Sequence, residues 1–314
     1  MEKGTTSSGG EAEAQYFCKD FHWEDLRAEV EANPSYAYHF ESASSSSSST
    51  PPESDVLAWK QFHLRHASGT FFKERRYLLK EFPELLSSPP NSKLLEVGCG
   101  NGSTALPILR DETLERAKEI ISDASTSFQY RFRTFCCDIS TNGFPTWLAC
   151  YPCRDKFLQK QSYCLSDVRE GNGLHFTNTY PSEDECCVGG VDFITLIFTL
   201  SAVPLDRMPK SVKECFFVLK PGGMVFFRDY GLYDMTMLRF EQDKRVGFRE
   251  YMRSDGTRSY FFCLDAVRNL FLGAGFTELE LEYCCVKSIN RQKGKCMQRV
   301  WVHGKFQKPA LRNE

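Results

Sequence analysis

The chain has 314 residues, a formal net charge of −2 and a hydrophobic content of 41%. This content is sufficient for a real core, and the near-neutral charge excludes a strong overall basic field, so a nucleic-acid site would have to be a local patch. No apolar run approaches the ~18 residues that span a bilayer, and the N-terminus lacks the apolar core of a signal peptide. We therefore expect no membrane partner.

Cysteine usage favours an intracellular compartment. The 14 cysteines are scattered, and several form adjacent pairs or lie inside strand-like runs. This distribution is typical of reduced thiols rather than of a disulfide framework. The expected localisation is the cytoplasm, with the nucleus as a second compartment.

Composition divides the chain into a weakly ordered N-terminal region, a helical extension and a main domain. Residues 1–54 begin small and polar and include a serine tract followed by Pro51-Pro52, which is typical of a linker. Helical spacing of apolar residues predicts a helical extension over 55–88. The main domain is predicted over 89–308 with an insertion at 139–190, and residues 309–314 form a tail.

A short strand followed by a glycine loop begins the main domain. Residues 93–97 form an apolar run that carries one acid, Glu96, and Gly98, Gly100 and Gly102 follow at alternate positions. Glycine has no Cβ, so the backbone of such a loop can turn sharply and lie close to a ligand. A strand, a glycine loop and a helix N-terminus together predict a nucleotide site at the edge of a parallel sheet. An ordinary glycine turn after a strand is the alternative.

Further strands and helices alternate along the main domain. A strong buried strand is predicted at 191–198, and a helix at 208–219 leads through a tight turn at 220–223 to a strand at 224–229. The other predicted elements are a strand at 132–138, a helix at 264–272 closed by Gly273 and Gly275, and two final strands, 278–287 and 298–306, paired as a hairpin. This order predicts an α/β fold with a C-terminal antiparallel hairpin.

The glycine loop has a more specific resemblance. The pattern E-x-G-x-G-x-G at 96–102 resembles motif I of class I methyltransferases that use S-adenosylmethionine (SAM), and the L-K-P-G-G string at 219–223 resembles the turn that enters their fifth strand. The resemblance implies a Rossmann-like class I methyltransferase fold with SAM as cofactor. The residues that it implies in cofactor binding are Glu96, Gly98, Cys99, Gly100, Gly102, Asp138 and Ile197.

Longer strings resemble one group within this class. They lie at 71–85, 196–203, 226–234 and 253–262, and they resemble the eukaryotic methyltransferase-like enzymes that form 3-methylcytidine in tRNA. The resemblance implies tRNA as substrate, N3 of cytosine at position 32 of the anticodon loop as acceptor, and an accessory protein such as an aminoacyl-tRNA synthetase as a candidate partner. A SAM enzyme for a small molecule or a protein is less favoured, because basic and aromatic residues are mixed at 71–78.

Methyl transfer to cytosine N3 would be assisted by a carboxylate near the base. Cytosine N3 has a free lone pair and no proton to lose, so alignment matters more than a strong base. Positive charge moves onto the ring, where a carboxylate would stabilise it. Asp229, at the end of a predicted strand, is the first catalytic candidate with Arg228 beside it, and a structural ion pair between them is the alternative. Ser201 is a candidate for contacting the base or SAM, or else for capping a helix.

Basic residues mixed with aromatic ones are suited to holding phosphates and stacking unpaired bases. One such group lies in the helical extension at 72–76 and another at 253–260. A solvated helix face is the alternative for the first group. The candidate tRNA-binding residues are Phe72, Lys73, Arg75, Arg76, Tyr230, Arg253, Arg258 and Tyr260.

Two segments depart from the methyltransferase pattern. No β-patterned run lies between Gly102 and Phe128, so residues 103–121 are predicted as nearly continuous helix, and the second strand with its ribose-binding acid is predicted to be absent. The alternative function is therefore a catalytically impaired member that binds RNA or a partner protein. The insertion contains a C-x-x-C string at 150–153, but the later cysteines match no standard zinc spacing, so free thiols are favoured over a metal.

Overall fold

The computed structural model describes residues 19–41, 52–66, 75, 77–100, 133, 135–149, 189–290 and 295–310. The helices of this part are α1 (Trp23–Ala32), α2 (Pro52–Arg65), α3 (Leu78–Glu81), α4 (Met208–Val218) and α5 (Leu264–Ala274). The strands are β1 (Leu94–Val97), β2 (Val191–Ile197), β3 (Leu219–Tyr230), β4 (Arg245–Gly247), β5 (Glu250–Met252), β6 (Arg258–Tyr260), β7 (Thr277–Asn290) and β8 (Lys295–Gln307). The predictions of a continuous helix at 103–121 and of a missing second strand concern residues outside the described part of the chain.

Within the described residues, the main sheet has five strands in the order β1-β2-β3-β8-β7. Strands β1, β2 and β3 are parallel, whereas β8 runs antiparallel to both β3 and β7. The parallel strands therefore share one carboxyl edge, and the C-terminal hairpin extends the sheet beyond them. This arrangement confirms the predicted α/β fold with a C-terminal antiparallel hairpin.

Both faces of the parallel strands are buried, which explains the nearly continuous apolar sequence of β2. On one face, Ile194 and Val225 belong to a core that includes residues of α4 and α5. On the other face, Phe193 and Phe226 pack with Leu78 of α3. Successive strand residues point to opposite faces, so the helical extension that carries α3 covers one face of the sheet and α4 and α5 cover the other.

Two glycine predictions differ in detail from the structure. The turn predicted at 220–223 lies within β3, where the register shifts and residues 219–224 stand opposite residues 191–193 of β2. Gly273 lies inside α5, and the helix ends at Gly275, which has φ of +102° and donates its amide to the last turn. Only the second of these glycines has the left-handed backbone that closes a helix.

The strand predicted at 132–138 is absent from its described part. Asp138 instead accepts hydrogen bonds from the amide and the hydroxyl of Ser140, at 2.9 and 2.6 Å. The following segment packs on α4, where the carboxylate of Glu214 accepts the Phe144 amide at 3.0 Å. These local side-chain bonds compete with strand pairing, which the alternating sequence pattern did not indicate.

Residues 19–41 form an ordered strap, which differs from the weak order expected over 1–54. Helix α1 buries Leu26 and Val30 in a second core that includes Tyr251 of β5. The Trp23 ring stacks on Tyr283 of β7 with 4.5 Å between centroids. The aromatic side chains of this segment find partners distant in sequence, and burial of their large apolar surface orders it.

Neither a membrane-spanning helix nor a cluster of metal-ligand side chains occurs among the described residues. None of the described helices is long and apolar enough to cross a bilayer. Among the same residues, no group of His, Cys, Asp and Glu is suited to hold a metal ion. The C-x-x-C string of the insertion lies outside them.

We expect His39 to make the strap sensitive to acid. The His39 side chain is fully buried, and its Nδ1 lies 2.7 Å from the Tyr251 hydroxyl. Burial, assisted by the charge of Arg245, lowers the pKa of His39 from 6.5 to about 4. A lowered folded-state pKa contributes stability that is present above the unfolded pKa of 6.5 and is lost as the pH falls through 4. The loss amounts to at most about 3 kcal/mol.

The variant His39→Gln keeps a polar partner for the Tyr251 hydroxyl and has no titrating ring. Chemical denaturation near pH 7 and near pH 4.5 should show a smaller acid-induced loss in its free energy of unfolding than in the parent. Equal losses in the two proteins would remove His39 as the cause.

Candidate active site

The glycine loop lies at the carboxyl end of β1, on the edge that β2 and β3 share. Gly98 and Gly100 have φ of +70° and +53°, a left-handed conformation that other residues rarely adopt. A Cβ on Gly98 would lie 2.6 Å from the Thr199 side chain, so the loop also passes close to the segment after β2. Residues 98–100 are exposed, whereas Gly102 lies outside the described residues.

Thr199 joins the ends of β1 and β2. Its hydroxyl oxygen lies 2.9 Å from the Val97 carbonyl oxygen and 3.2 Å from that of Ile197. Because Gly98 has no side chain, Thr199 can approach the loop and make these bonds. The glycine and the threonine together therefore set how closely the two strand ends approach each other.

Asp229 is fully buried near the end of β3. Its Oδ2 accepts a hydrogen bond from the Ser201 amide at 2.9 Å, and its Oδ1 accepts one from the Tyr230 amide at 2.8 Å. Burial raises the pKa of Asp229 to about 6, although these hydrogen bonds oppose the increase. The carboxylate thus fixes the segment after β2 onto β3.

Ser201 lies inside the short 3-10 helix Leu200–Ala202, and Thr199 occupies the N-cap position. The alternative interpretation of Ser201 as a helix cap is therefore wrong. Ser201 is itself nearly fully buried, and its amide is held by Asp229. Direct contact of Ser201 or Asp229 with a substrate stays a prediction.

Arg228 pairs with Glu81 of α3 rather than with Asp229, the partner expected in the structural alternative. Its Nη1 donates to Glu81 Oε1, and both side chains are almost fully buried. The guanidinium lies 4.5 Å from the Trp301 ring centroid, and His303 Nδ1 lies 2.9 Å from the same Glu81 oxygen. Arg228 anchors the helical extension to the sheet, and because its charge is neutralised by Glu81, the ion pair argues against the catalytic role predicted for it.

The sequence matches known methyltransferases over most of this fold. Residues 71–281 match the family model described as a methyltransferase domain. The chain is 34% identical over 255 residues to the tRNA N(3)-cytidine methyltransferase METTL6 of Homo sapiens, and the match covers 80% of this chain and 79% of that protein. The chain belongs to this methyltransferase family.

Other relatives include a second tRNA methyltransferase and an O-methyltransferase. The tRNA N(3)-methylcytidine methyltransferase Mettl2 of Drosophila melanogaster is 32% identical over 257 residues, covering 80% of this chain and 70% of that protein. O-methyltransferase 3 of Dictyostelium discoideum is 32% identical over 248 residues, covering 75% of this chain and 48% of that protein. A solved SAM-dependent methyltransferase from Anabaena variabilis is similar with a TM-score of 0.45 and 12% identity, over 81% of this chain and 94% of that one.

The described residues at the glycine loop fit SAM, the methyl donor of this methyltransferase family. The left-handed glycines leave the exposed backbone at 98–100 open to a ligand. Glu96 is half-buried two residues before the loop, and Cys99 is exposed within it. Ile197 is buried at the end of β2. The individual roles of Glu96, Cys99 and Ile197 toward SAM stay predictions.

Asp138 is the remaining described candidate for cofactor binding. Burial alone would raise the pKa of its carboxyl group, but hydrogen bonds from Ser140 and the charge of Arg207 outweigh burial and lower it. Asp138 is therefore ionised at neutral pH and only half-buried. A charged, accessible carboxylate is suited to accept hydrogen bonds from an adenine or a ribose, which agrees with the predicted role without testing it.

The predicted tRNA-binding residues differ in accessibility. Arg258 and Tyr260 are buried in β6, and Arg258 forms an ion pair with Glu250 at 2.8 Å. This pairing satisfies the guanidinium within the protein, so the structure argues against a phosphate contact by Arg258. Arg253 is half-buried and donates to the Arg258 carbonyl at 3.2 Å. Phe72, Lys73 and Arg76 lie outside the described residues.

The sequence interpretation missed Phe198, Thr199 and Glu81. A hydroxyl side chain directly after a buried strand that ends beside the glycine loop was a usable signal for Thr199. An acid within the apolar helical run of α3 was a signal that Glu81 has a buried basic partner. Phe198 has a left-handed backbone with φ of +53°, and a bulky residue gives no sequence signal for that conformation.

Proposed function

We propose that the chain transfers a methyl group from SAM to N3 of a cytidine in tRNA, at position 32 of the anticodon loop. The observation that supports it is the open glycine loop on the carboxyl edge that β1, β2 and β3 share. Ligands of α/β sheets bind outside the carboxyl ends of the strands. The acceptor is proposed from the relative named a tRNA N(3)-cytidine methyltransferase, which is 34% identical.

The residues at the carboxyl edge of the sheet would have different roles in this reaction. SAM, when bound, supplies an electrophilic methyl group. Thr199 and Asp229 fix the segment after β2 between the loop and β3, so an acceptor base held there would be aligned rather than activated. The Asp229 carboxylate, buried behind this segment, would offset part of the positive charge that the base acquires.

The net charge of the chain bears on how the proposed enzyme would bind tRNA. With a net charge of −2, the chain has little long-range attraction for tRNA, so binding would depend on local basic and aromatic groups such as Arg75. An aminoacyl-tRNA synthetase would add a second tRNA-binding surface, and we propose it as an accessory partner. The proposed compartment is the cytoplasm, and also the nucleus.

The test is methylation of tRNA transcripts by the purified chain with SAM, followed by nucleoside mass spectrometry. We expect 3-methylcytidine in transcripts with cytidine at position 32 and none in matched transcripts with uridine there. Each reaction is repeated with aminoacyl-tRNA synthetases added. If SAM binds but no tRNA is methylated under either condition, the chain is the impaired, RNA-binding or partner-binding member instead. Methylation of a hydroxyl group alone would favour an O-methyltransferase.

A further inference from the structure

Phe198, the residue directly after β2, has an unfavourable backbone conformation. Its φ of +53° lies in the left-handed region, which bulky residues avoid. The surroundings impose it, because its amide donates to the Arg228 carbonyl at 2.7 Å and the next residue, Thr199, is bound to Val97 at 2.9 Å. Strain that neighbouring bonds maintain is often found at ligand sites.

The Phe198 ring belongs to a group of aromatic and basic side chains at the carboxyl edge of the sheet. Its centroid lies 5.1 Å from that of Tyr230 and 6.3 Å from that of Trp301. The Arg75 guanidinium lies 5.4 Å from the same ring. All four side chains are only half-buried. Aromatic rings and guanidinium planes are the groups on which unpaired bases stack.

This aromatic group is adjacent to the cofactor loop. Phe198 directly precedes Thr199, whose side chain occupies the space that a Cβ on Gly98 would need. Phe198 is therefore one residue from the contact between β2 and the glycine loop. A flat ligand held on its ring would lie beside a donor bound at the loop, which is the arrangement that a group transfer requires.

We propose that Phe198 is the stacking platform for the acceptor base, with Tyr230 at its border and Arg75 over one face of the ring, so that the base stacks on the other face. This inference rests on the proposed function and adds to it the residue that holds the base. Stacking uses the π face that every base has, so Phe198 positions the base and contacts at the base edge select cytosine. The left-handed backbone is the cost of presenting the ring at this position.

The test compares Phe198→Leu with Phe198→Tyr. Both variants keep a side chain that is not β-branched at the strained position, but only the tyrosine keeps an aromatic ring. Loss of one stacked base should lower kcat/KM for tRNA by about 5- to 150-fold in the leucine variant. The tyrosine variant should stay within roughly threefold of the parent, and both variants should bind SAM as the parent does, since stacking involves the base and not the cofactor. Phe198→Leu is expected to lose some thermal stability, because it gives up the ring contacts with Tyr230 and Trp301.

A second measurement reports stacking directly. Pyrrolocytosine, a fluorescent cytosine analogue, is placed at the acceptor position of an anticodon stem-loop RNA and titrated with each protein and S-adenosylhomocysteine. The parent and Phe198→Tyr should quench the fluorescence, and Phe198→Leu should not. Full activity and quenching by the leucine variant would overturn the proposal, and so would equal losses in both variants accompanied by loss of SAM binding.

Failure of the proposed function is distinguishable from failure of this inference. If the parent methylates no tRNA cytidine, the proposed function fails and the fluorescence measurement alone decides the inference. Quenching that depends on the aromatic ring then supports an unpaired-base site at Phe198. Absence of quenching by the parent overturns it.

Discussion

Replacing Gly98 with alanine is expected to weaken SAM binding by about 10- to 100-fold. The alanine would have to adopt φ of +70°, which costs about 1–2 kcal/mol for an L residue, and its Cβ would lie 2.6 Å from two atoms of Thr199. The free loop relaxes away from this geometry, and binding must restore it. Isothermal titration of SAM into parent and variant measures the difference, with each 1.4 kcal/mol equal to about tenfold.

A matched control separates backbone strain from the binding site. Gly222 has a similar φ of +78° but no atom within 4 Å of a Cβ at that position. Gly222→Ala should therefore lose about 1 kcal/mol of unfolding free energy, as expected for a strained backbone, with unchanged SAM affinity. The double variant Gly98→Ala, Thr199→Ala removes the two 2.6 Å contacts and leaves only the Cβ of residue 199, at 3.2 Å, so it should recover part of the affinity. Parent-like affinity in Gly98→Ala would show that SAM binds elsewhere.

Asp229→Asn is expected to lower kcat by on the order of 10²–10³ while tRNA binding is retained. The substitution removes the negative charge that we propose offsets the cationic base. It also removes one of two acceptor oxygens, which receive the amides of Ser201 and Tyr230 at 2.9 and 2.8 Å. The asparagine amide would face one of these N–H groups, so the segment that carries Phe198 loses part of its support. Single-turnover methylation with saturating SAM and tRNA measures the loss.

Ser201→Ala is the matched control, because it removes only the hydroxyl bond to Asp229 and keeps the backbone N–H that donates to the same carboxylate. Its kcat should remain within about tenfold of the parent, in contrast to the 10²-fold or larger loss in Asp229→Asn. Parent-like turnover by Asp229→Asn would show that neither its charge nor its hold on Ser201 matters for the reaction. Equally large losses of kcat in both variants would show that the Ser201 hydroxyl, and not the Asp229 charge, is responsible.

Asp229→Asn is also expected to change how the free energy of unfolding depends on pH. Burial raises the folded pKa of Asp229 from 3.8 to about 6. Its contribution to stability is therefore present below pH 3.8 and is lost as the pH rises through 6, a change of about 3 kcal/mol. His39 has the opposite sign over a similar range. The two contributions oppose each other in the parent, and Asp229→Asn should reveal the acid sensitivity due to His39.

Much of the fold could be predicted because its signals are local. The strands β1, β2 and β3, the helices α4 and α5 and the C-terminal hairpin have periodic apolar patterns and turn residues that a single sequence displays. The glycine loop was predicted for the same reason, since Gly98 and Gly100 are needed for the left-handed backbone that they adopt. The strand predicted at 132–138 was wrong in its described part, because Asp138 accepts a hydrogen bond from Ser140 instead of extending a strand.

The sequence by itself determined the fold class, the position of the cofactor loop and the family. Only the tertiary structure decided which charged residues are paired inside the protein. Arg228 is neutralised by Glu81, a residue 147 positions away, and Arg258 by Glu250 across two short strands. The roles of Phe198 and Thr199 likewise depend on how β1, β2 and β3 meet at one edge. Pairing and burial depend on contacts between distant segments, and a local pattern of residue types does not contain them.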